Sequence, residues 1–212
     1  MRLPSCLATT ALIVAPLTVA ACTDGKTPLA PTAIASTAAP LAPPPLPTTV
    51  PGVLAVAMPV LPGDSANLAF GIAPFGYHDA DHAGDGHAGW DIEYRAGALV
   101  RAAAAGTVES VVADPLTGRF TVVLAHVVGD HHYRSLYTNL ASVNSEIVAE
   151  AIVQPGRALG GPGTIGASGT LGTHFQLDDL EFHREGFSEP KAVSAEPFLT
   201  PAARSLFDGL WS

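Results

Sequence analysis

The sequence predicts a mainly β domain, an antiparallel sheet or sandwich, behind an extended, disordered N-terminal linker. Three observations predict it. Short β-branched runs punctuated by glycine fill residues 63–185. A turn-forming stretch, Asp114-Pro115-Leu116-Thr117-Gly118, separates two of those runs. Ahead of them lies a segment dominated by Pro, Ala, Thr and Leu with almost no charge. The chain of 212 residues, 48% hydrophobic and 14% charged with 19 Pro and 21 Gly, suits one core plus something extended rather than two full domains.

Residues 1–21 read as an export signal. Arg2 supplies a thin positive region, Ala11 to Val19 an apolar stretch, and Val19-Ala20-Ala21-Cys22 a small-residue cleavage site ending in cysteine. That ending resembles a bacterial lipobox, which makes Cys22 the expected lipidation site. Buried methylenes, each contributing about 0.8 kcal/mol, would then hold the mature chain on a membrane. The alternative is an ordinary cleaved signal with an incidental cysteine. No Asp directly follows Cys22, so in a diderm host the pattern points to the periplasmic side of the outer membrane. A transmembrane span is not expected, because Pro16 interrupts an apolar run already short of the roughly 20 residues a bilayer needs.

Residues 22–62, including Pro43-Pro44-Pro45, read as a linker of polyproline II character, at roughly 3.1 Å per residue a semi-rigid spacer. Within 63–185 the expected strands are Leu99 to Ala103, Thr107 to Val112, Phe120 to His126 and Tyr133 to Leu140. A domain of that size buries enough surface to fold without disulfides or metal, so any metal is expected to serve function. The tail, residues 186–212, carries a short expected helix at Pro201 to Leu210 and no evident chemistry.

The formal charge of -9, with only 10 Lys and Arg spread along the chain, excludes nucleic acid as a partner, since phosphate neutralisation needs clustered cations. One constellation does suggest chemistry. His87-Ala88-Gly89-Trp90-Asp91 places an imidazole and a carboxylate four residues apart, and His174 lies far downstream in His174-Phe175-Gln176-Leu177. Two imidazoles and one carboxylate are a known zinc set that leaves a fourth tetrahedral position open. His78, His82, Asp79, Asp81 and Asp85 lie just upstream, so a solvated His/Asp-rich loop with adventitious metal affinity is the competing reading.

The order of several motifs resembles the LytM/lysostaphin-type zinc endopeptidases of peptidoglycan over about residues 84–178. The family's His-x-Gly-x-Asp stands as His87 to Asp91. Its Gly-x-x-Val-x-Ala strand pair stands as Gly97 to Ala102, continuing through Gly106-Thr107-Val108. Its Tyr-x-His-Leu stands as Tyr137-Thr138-Asn139-Leu140, and its Gly-rich run into His-x-His-Phe-Glu stands as Leu159 to Gln176. The resemblance implies the LytM-type β fold, with zinc as cofactor held by His87, Asp91 and His174. It also implies two catalytic histidines, and both are replaced: Asn139 occupies the position of one and Gly172 that of the other. An amide at Asn139 is expected to retain some hydrogen-bond donation to an oxyanion, whereas Gly172 can move no proton. Gln176 replaces a glutamate, removing a carboxylate from behind the ligand His174. Strand alternation places His131 on the face of Asn139 but roughly 26 Å away, with His132 on the opposite face, too far for a substitute base. His78 and His82 lie on a loop whose reach is unconstrained. His126 and His183 are expected at the surface or at strand ends.

Three functions follow. The resemblance favours a tethered cell-envelope module that keeps its zinc ligands, is catalytically impaired, and either binds peptidoglycan or regulates a separate wall hydrolase. The alternatives are a working zinc endopeptidase cleaving peptide cross-links with an unusual base, and a structural envelope lipoprotein with a relic site.

Overall fold

The computed structural model describes residues 52–60, 68–78, 84–165 and 169–211. The expected signal, Cys22 and the linker to residue 51 lie outside the described residues, as do Asp79, Asp81 and His82. The described chain forms strands β1 (Leu68–Ala73), β2 (Trp90–Tyr94), β3 (Val100–Arg101), β4 (Gly106–Ala113), β5 (Phe120–Val128), β6 (His131–Val143), β7 (Ile152–Val153), β8 (Ala158–Ile165), β9 (Thr170–Asp179) and β10 (Ala192–Val193). A 3-10 turn (Glu196–Phe198) and helix α1 (Pro201–Leu210) follow.

The strands join one sheet in the order β1-β2-β9-β8-β6-β5-β4-β7, with β3 on β8, β10 on β9 and a further β9–β6 pairing. Every ladder is antiparallel. The β4–β5 hairpin forms where the turn residues predict it. The Asp114 carboxylate accepts from the Leu116 amide at 2.8 Å and the Thr117 hydroxyl at 2.7 Å, and Gly118 takes the positive φ of 68° that a side chain would resist. On β5 alternate residues Val122, Leu124 and His126 are buried, the period-2 signature of a sheet with one face on a core.

Two segments extend the packing beyond the residues with clear β character. Leu54, Val56, Met58 and Val60 are buried, and Val56 bridges Leu199 in parallel, although composition alone reads this stretch as the end of the linker. At the other end α1 starts on the Thr200 hydroxyl, which accepts from the Ala203 amide at 3.2 Å, with Pro201 in the first turn. The helix buries Ala203 and Phe207, and Phe207 and Trp211 close over Trp90 at ring distances of 4.9 and 6.3 Å. Gly71 is required here, because any Cβ on it would overlap the Trp211 ring.

The strand that matters most is β9. It lies between β2 on one side and β6 and β8 on the other. Phe175 and Leu177 point into the core, Phe175 packing on Trp90 and Tyr137. By alternation Gly172, His174, Gln176 and Asp178 share the opposite face. Asp91 and Glu93 of β2 lie on that same face, directly across from His174 and Gly172.

Candidate metal centre

The register of β2 on β9 brings Asp91 beside His174, and the loop entering β2 adds His87. His174 Nδ1 lies 2.9 Å from both Asp91 Oδ1 and His87 Nε2, and His87 Nε2 lies 3.3 Å from Asp91 Oδ1. Zinc–ligand bonds of about 2.05 Å at tetrahedral angles separate donors by ~3.3 Å. The triangle therefore fits that ion after opening by a few tenths of an ångström. His87 is almost wholly enclosed, with 3% of its side chain accessible against 22% for His174, so the centre opens on the His174 side.

The outward nitrogens of both imidazoles are held. His87 Nδ1 donates to the Pro74 carbonyl at 3.1 Å, and the loop is fixed by His87 N–H to Tyr77 O and Gly76 N–H to His87 O, each 2.8 Å. His174 Nε2 faces Gln176 Oε1 at 3.4 Å, and the Gln176 amide donates to Asp178 Oδ1 at 2.7 Å. With their outer N–H groups directed away, the inner nitrogens present lone pairs to one another and to Asp91, an arrangement that a shared proton or a cation stabilises. Gln176 does not end the chain behind His174, as the loss of glutamate suggests. It relays His174 to a carboxylate one step further on. Burial pushes the Asp178 carboxyl up, against the hydrogen bond from Gln176. Burial also opposes ionisation of Asp91, but hydrogen bonds and charge from His174 and His87 outweigh it and hold that carboxyl well below its ordinary range.

Gly89, midway between His87 and Asp91, has a steric reason to be glycine. A Cβ there would overlap the Phe175 carbonyl and sit 2.9 Å from His174 Cε1, forcing the loop off β9.

The two substituted positions lie beside the centre and are both closed. Asn139 sits in a bulge of β6: Tyr137 pairs with Val122 and Leu140 with Phe120, so an extra residue is accommodated and Asn139 takes a φ of 64°. Its amide nitrogen donates to Thr164 O at 2.9 Å and Gly172 O at 3.0 Å. Turned over, the amide would set its oxygen against two carbonyls, so this orientation is fixed. Both N–H groups are thereby consumed, which overturns the expectation that Asn139 donates to an oxyanion. Gly163 admits the bulge, since a Cβ on it would collide with the Asn139 carbonyl. At Gly172 the space a side chain would occupy is filled by Ile165 of β8, whose Cδ1 overlaps the position of a built Cβ and whose Cγ1 lies 2.7 Å from it.

The other described histidines stand elsewhere. The bulge breaks the alternation that would place His131 on the face of Asn139; His131 lies at the far end of β6 with Asp179 at 2.9 Å. His132 bonds to Glu181 at 2.9 Å. His78 is exposed and is absent from the His87–Asp91–His174 group. His183 is exposed as expected. His126 is not a surface residue: it is 2% exposed, with Nδ1 donating to Ala105 O at 2.7 Å and Nε2 2.8 Å from Ser135 Oγ. Burial pushes its pKa down despite the Ala105 hydrogen bond, and burial pushes the neighbouring Tyr137 up to about 12.

Sequence reasoning did not single out Ile165, Asp178 or Glu93, and it met Gly89 only as a motif residue with no reason for the glycine. Glu93 stands two residues beyond Asp91, a spacing that shares one face once Trp90–Tyr94 is a strand, but no strand was expected there.

The family model of Peptidase family M23 matches residues 85–185, a span containing the whole centre. No curated protein matches the sequence. Among solved structures, lysostaphin from Staphylococcus simulans, described as an antimicrobial peptidase, is 21% identical with a TM-score of 0.50, over 74% of this chain and 57% of its own. The structure of the SpoIIQ-SpoIIIAH pore forming complex is 20% identical with a TM-score of 0.50, over 73% of this chain and 96% of its own. Helicobacter pylori Csd3 is 16% identical with a TM-score of 0.48, over 74% of this chain and only 38% of its own. The likenesses to lysostaphin and to the SpoIIQ-SpoIIIAH complex are likenesses of fold.

Proposed function

Starting from a LytM-type domain that matches Peptidase family M23 over residues 85–185, we propose that this chain is a lipid-anchored cell-envelope protein. In this reading it binds zinc at His87, Asp91 and His174 and acts at peptidoglycan without efficient hydrolysis, as a wall-binding module or a regulator of a separate wall hydrolase. Cys22 is the proposed anchor, with the periplasmic side of the outer membrane as the location in a diderm host.

One observation carries the reading: the three metal donors converge within 3.3 Å of one another while both adjoining catalytic positions are closed. Bound zinc would supply Lewis acidity at this face. His87 and His174 would be fixed as ligands by Pro74 and Gln176. Neither of the two substituted positions offers a proton acceptor beside them, because Ile165 stands over Gly172 and Asn139 is bonded to backbone. The absence of a positioned base costs about 10²- to 10⁴-fold in rate. The printed descriptions of the solved relatives span both possibilities, one a peptidase and one a member of an assembly.

A second reading has one observation in its favour. Glu93 is the cross-strand partner of Gly172 and shares the face of Asp91, so a carboxylate stands next to the emptied base position. In that reading Glu93 accepts the proton and the chain is a slow zinc endopeptidase cleaving peptide cross-links.

Incubating the full-length protein with purified cell wall, with and without EDTA, tests both. The first reading expects negligible release of peptides and stimulation of a separate wall hydrolase by the same preparation. Rapid EDTA-sensitive digestion overturns it. Slow EDTA-sensitive digestion that is lost in Glu93→Gln, with zinc still bound, establishes the second.

A further inference from the structure

At the opposite end of β9 from the centre, a second set of metal-ligand side chains converges. His131, the first residue of β6, places Nε2 2.9 Å from Asp179 Oδ1 and 3.4 Å from Glu181 Oε2. All three donor atoms lie within 4.8 Å of one another. We propose that His131, Asp179 and Glu181 form a second divalent-cation site, taking zinc through one imidazole and two carboxylates.

The donor chemistry favours it. A tetrahedral zinc ion separates its ligand atoms by ~3.3 Å, and the two His131 distances bracket that value. Two carboxylates and one neutral imidazole would balance the charge of a divalent ion. One imidazole suits zinc better than the hard cations, which take oxygen donors throughout. The groups are also held where they stand. The His131 ring packs on Tyr133 at 4.7 Å, and Asp179 Oδ1 accepts from the Glu181 and Phe182 amides at 3.1 and 3.2 Å. Glu181 is fixed by the His132 amide at 3.0 Å and His132 Nδ1 at 2.9 Å. The Leu180 amide, bonded to His132 O at 3.0 Å, ties the turn after β9 to the start of β6. His131 and Glu181 each keep 42% of their side chains accessible, so an ion reaches the site from solvent and the remaining coordination falls to water.

Such an ion would pin the start of β6 to the end of β9, the strand that carries His174. The site shares no residue with the His87 centre, so the two stand or fall separately. The test is zinc per chain after equilibrium dialysis of the full-length protein against micromolar zinc, on wild type, His174→Ala, His131→Ala and the conservative Glu181→Gln, each checked for an unchanged fold by circular dichroism. The expected result is two zinc ions in wild type and one in each variant. Wild type at two with His131→Ala or Glu181→Gln still at two overturns the proposal, and so does a wild type at one whose ion His174→Ala removes. A wild type at one whose ion is lost in His131→Ala but kept in His174→Ala supports it while overturning the zinc centre of the proposed function.

Discussion

Replacing Gly172 by alanine measures how firmly Ile165 closes the base position. The added Cβ would overlap Ile165 Cδ1, lie 2.7 Å from its Cγ1 and lie 3.1 Å from the Ile92 carbonyl. Ile92 belongs to the neighbouring strand and its backbone is held in the ladder, so Ile165 must give way. An extra methyl in a packed site costs about 1–3 kcal/mol, and turning a side chain off its rotamer accounts for about 0.5–1.5 kcal/mol of that. A value of ~2 kcal/mol lowers the melting temperature by roughly 4–8 °C for a domain of this size. Ile165→Ala removes both offending carbons. On that background Gly172→Ala should cost at least about 1 kcal/mol less than alone, a coupling read from a double-mutant cycle of thermal or urea unfolding. Additivity within about 0.5 kcal/mol would mean that Ile165 does not occupy the space, and the explanation of the closed site would fall with it.

Three further outcomes are expected. Gly89→Ala, whose Cβ would strike the backbone of β9, should reduce zinc binding and lower stability by about 1–3 kcal/mol; an unchanged zinc titration would contradict the close approach of loop and strand. Gln176→Ala removes the relay behind His174 and should weaken zinc binding about 10- to 100-fold by competition with a chelating dye, whereas Gln176→Glu should retain or tighten it. Burial lowers the folded pKa of His126 below its ordinary 6.5, so its contribution to stability is complete above pH 6.5 and is lost as pH falls through the folded value. Urea midpoints should therefore drop from pH 7.5 to pH 5, and His126→Asn should flatten that drop; an identical slope in the variant would assign it to other groups.

The parts of the fold that local chemistry specifies were readable from the sequence. Asp114 to Gly118 announces a hairpin because its side chains bond their own backbone, and the helix expected at Pro201 to Leu210 forms there. The candidate donors His87, Asp91 and His174 were singled out from motif order, and the sheet brings these three side chains within reach of one another. What local pattern cannot carry is contact between distant residues. The bulge at Asn139 depends on Gly163 standing opposite, and the filling of the Gly172 position depends on where β8 ends. A strict period of two predicted a regular strand where the tertiary structure required an extra residue. In two places the signal was present and outweighed. Leu54, Val56, Met58 and Val60 alternate as a strand does, within a composition that reads as linker. His126 continues the buried series of Val122 and Leu124, but histidine is only intermediate in its tendency to be buried, and the polar ring outweighed the pattern.

The lid that Phe207 and Trp211 place over Trp90 has a consequence for the order in which the molecule is made. Trp90 flanks Asp91, yet the rings that cover it, Phe207 and Trp211, follow it by more than a hundred residues. The β4–β5–β6 meander joins neighbours in sequence and can pair as it emerges, whereas β2 must wait some eighty residues for β9 and still longer for its cover. A nascent chain truncated before α1 would contain His87, Asp91 and His174 but lack the Phe207 and Trp211 rings over Trp90.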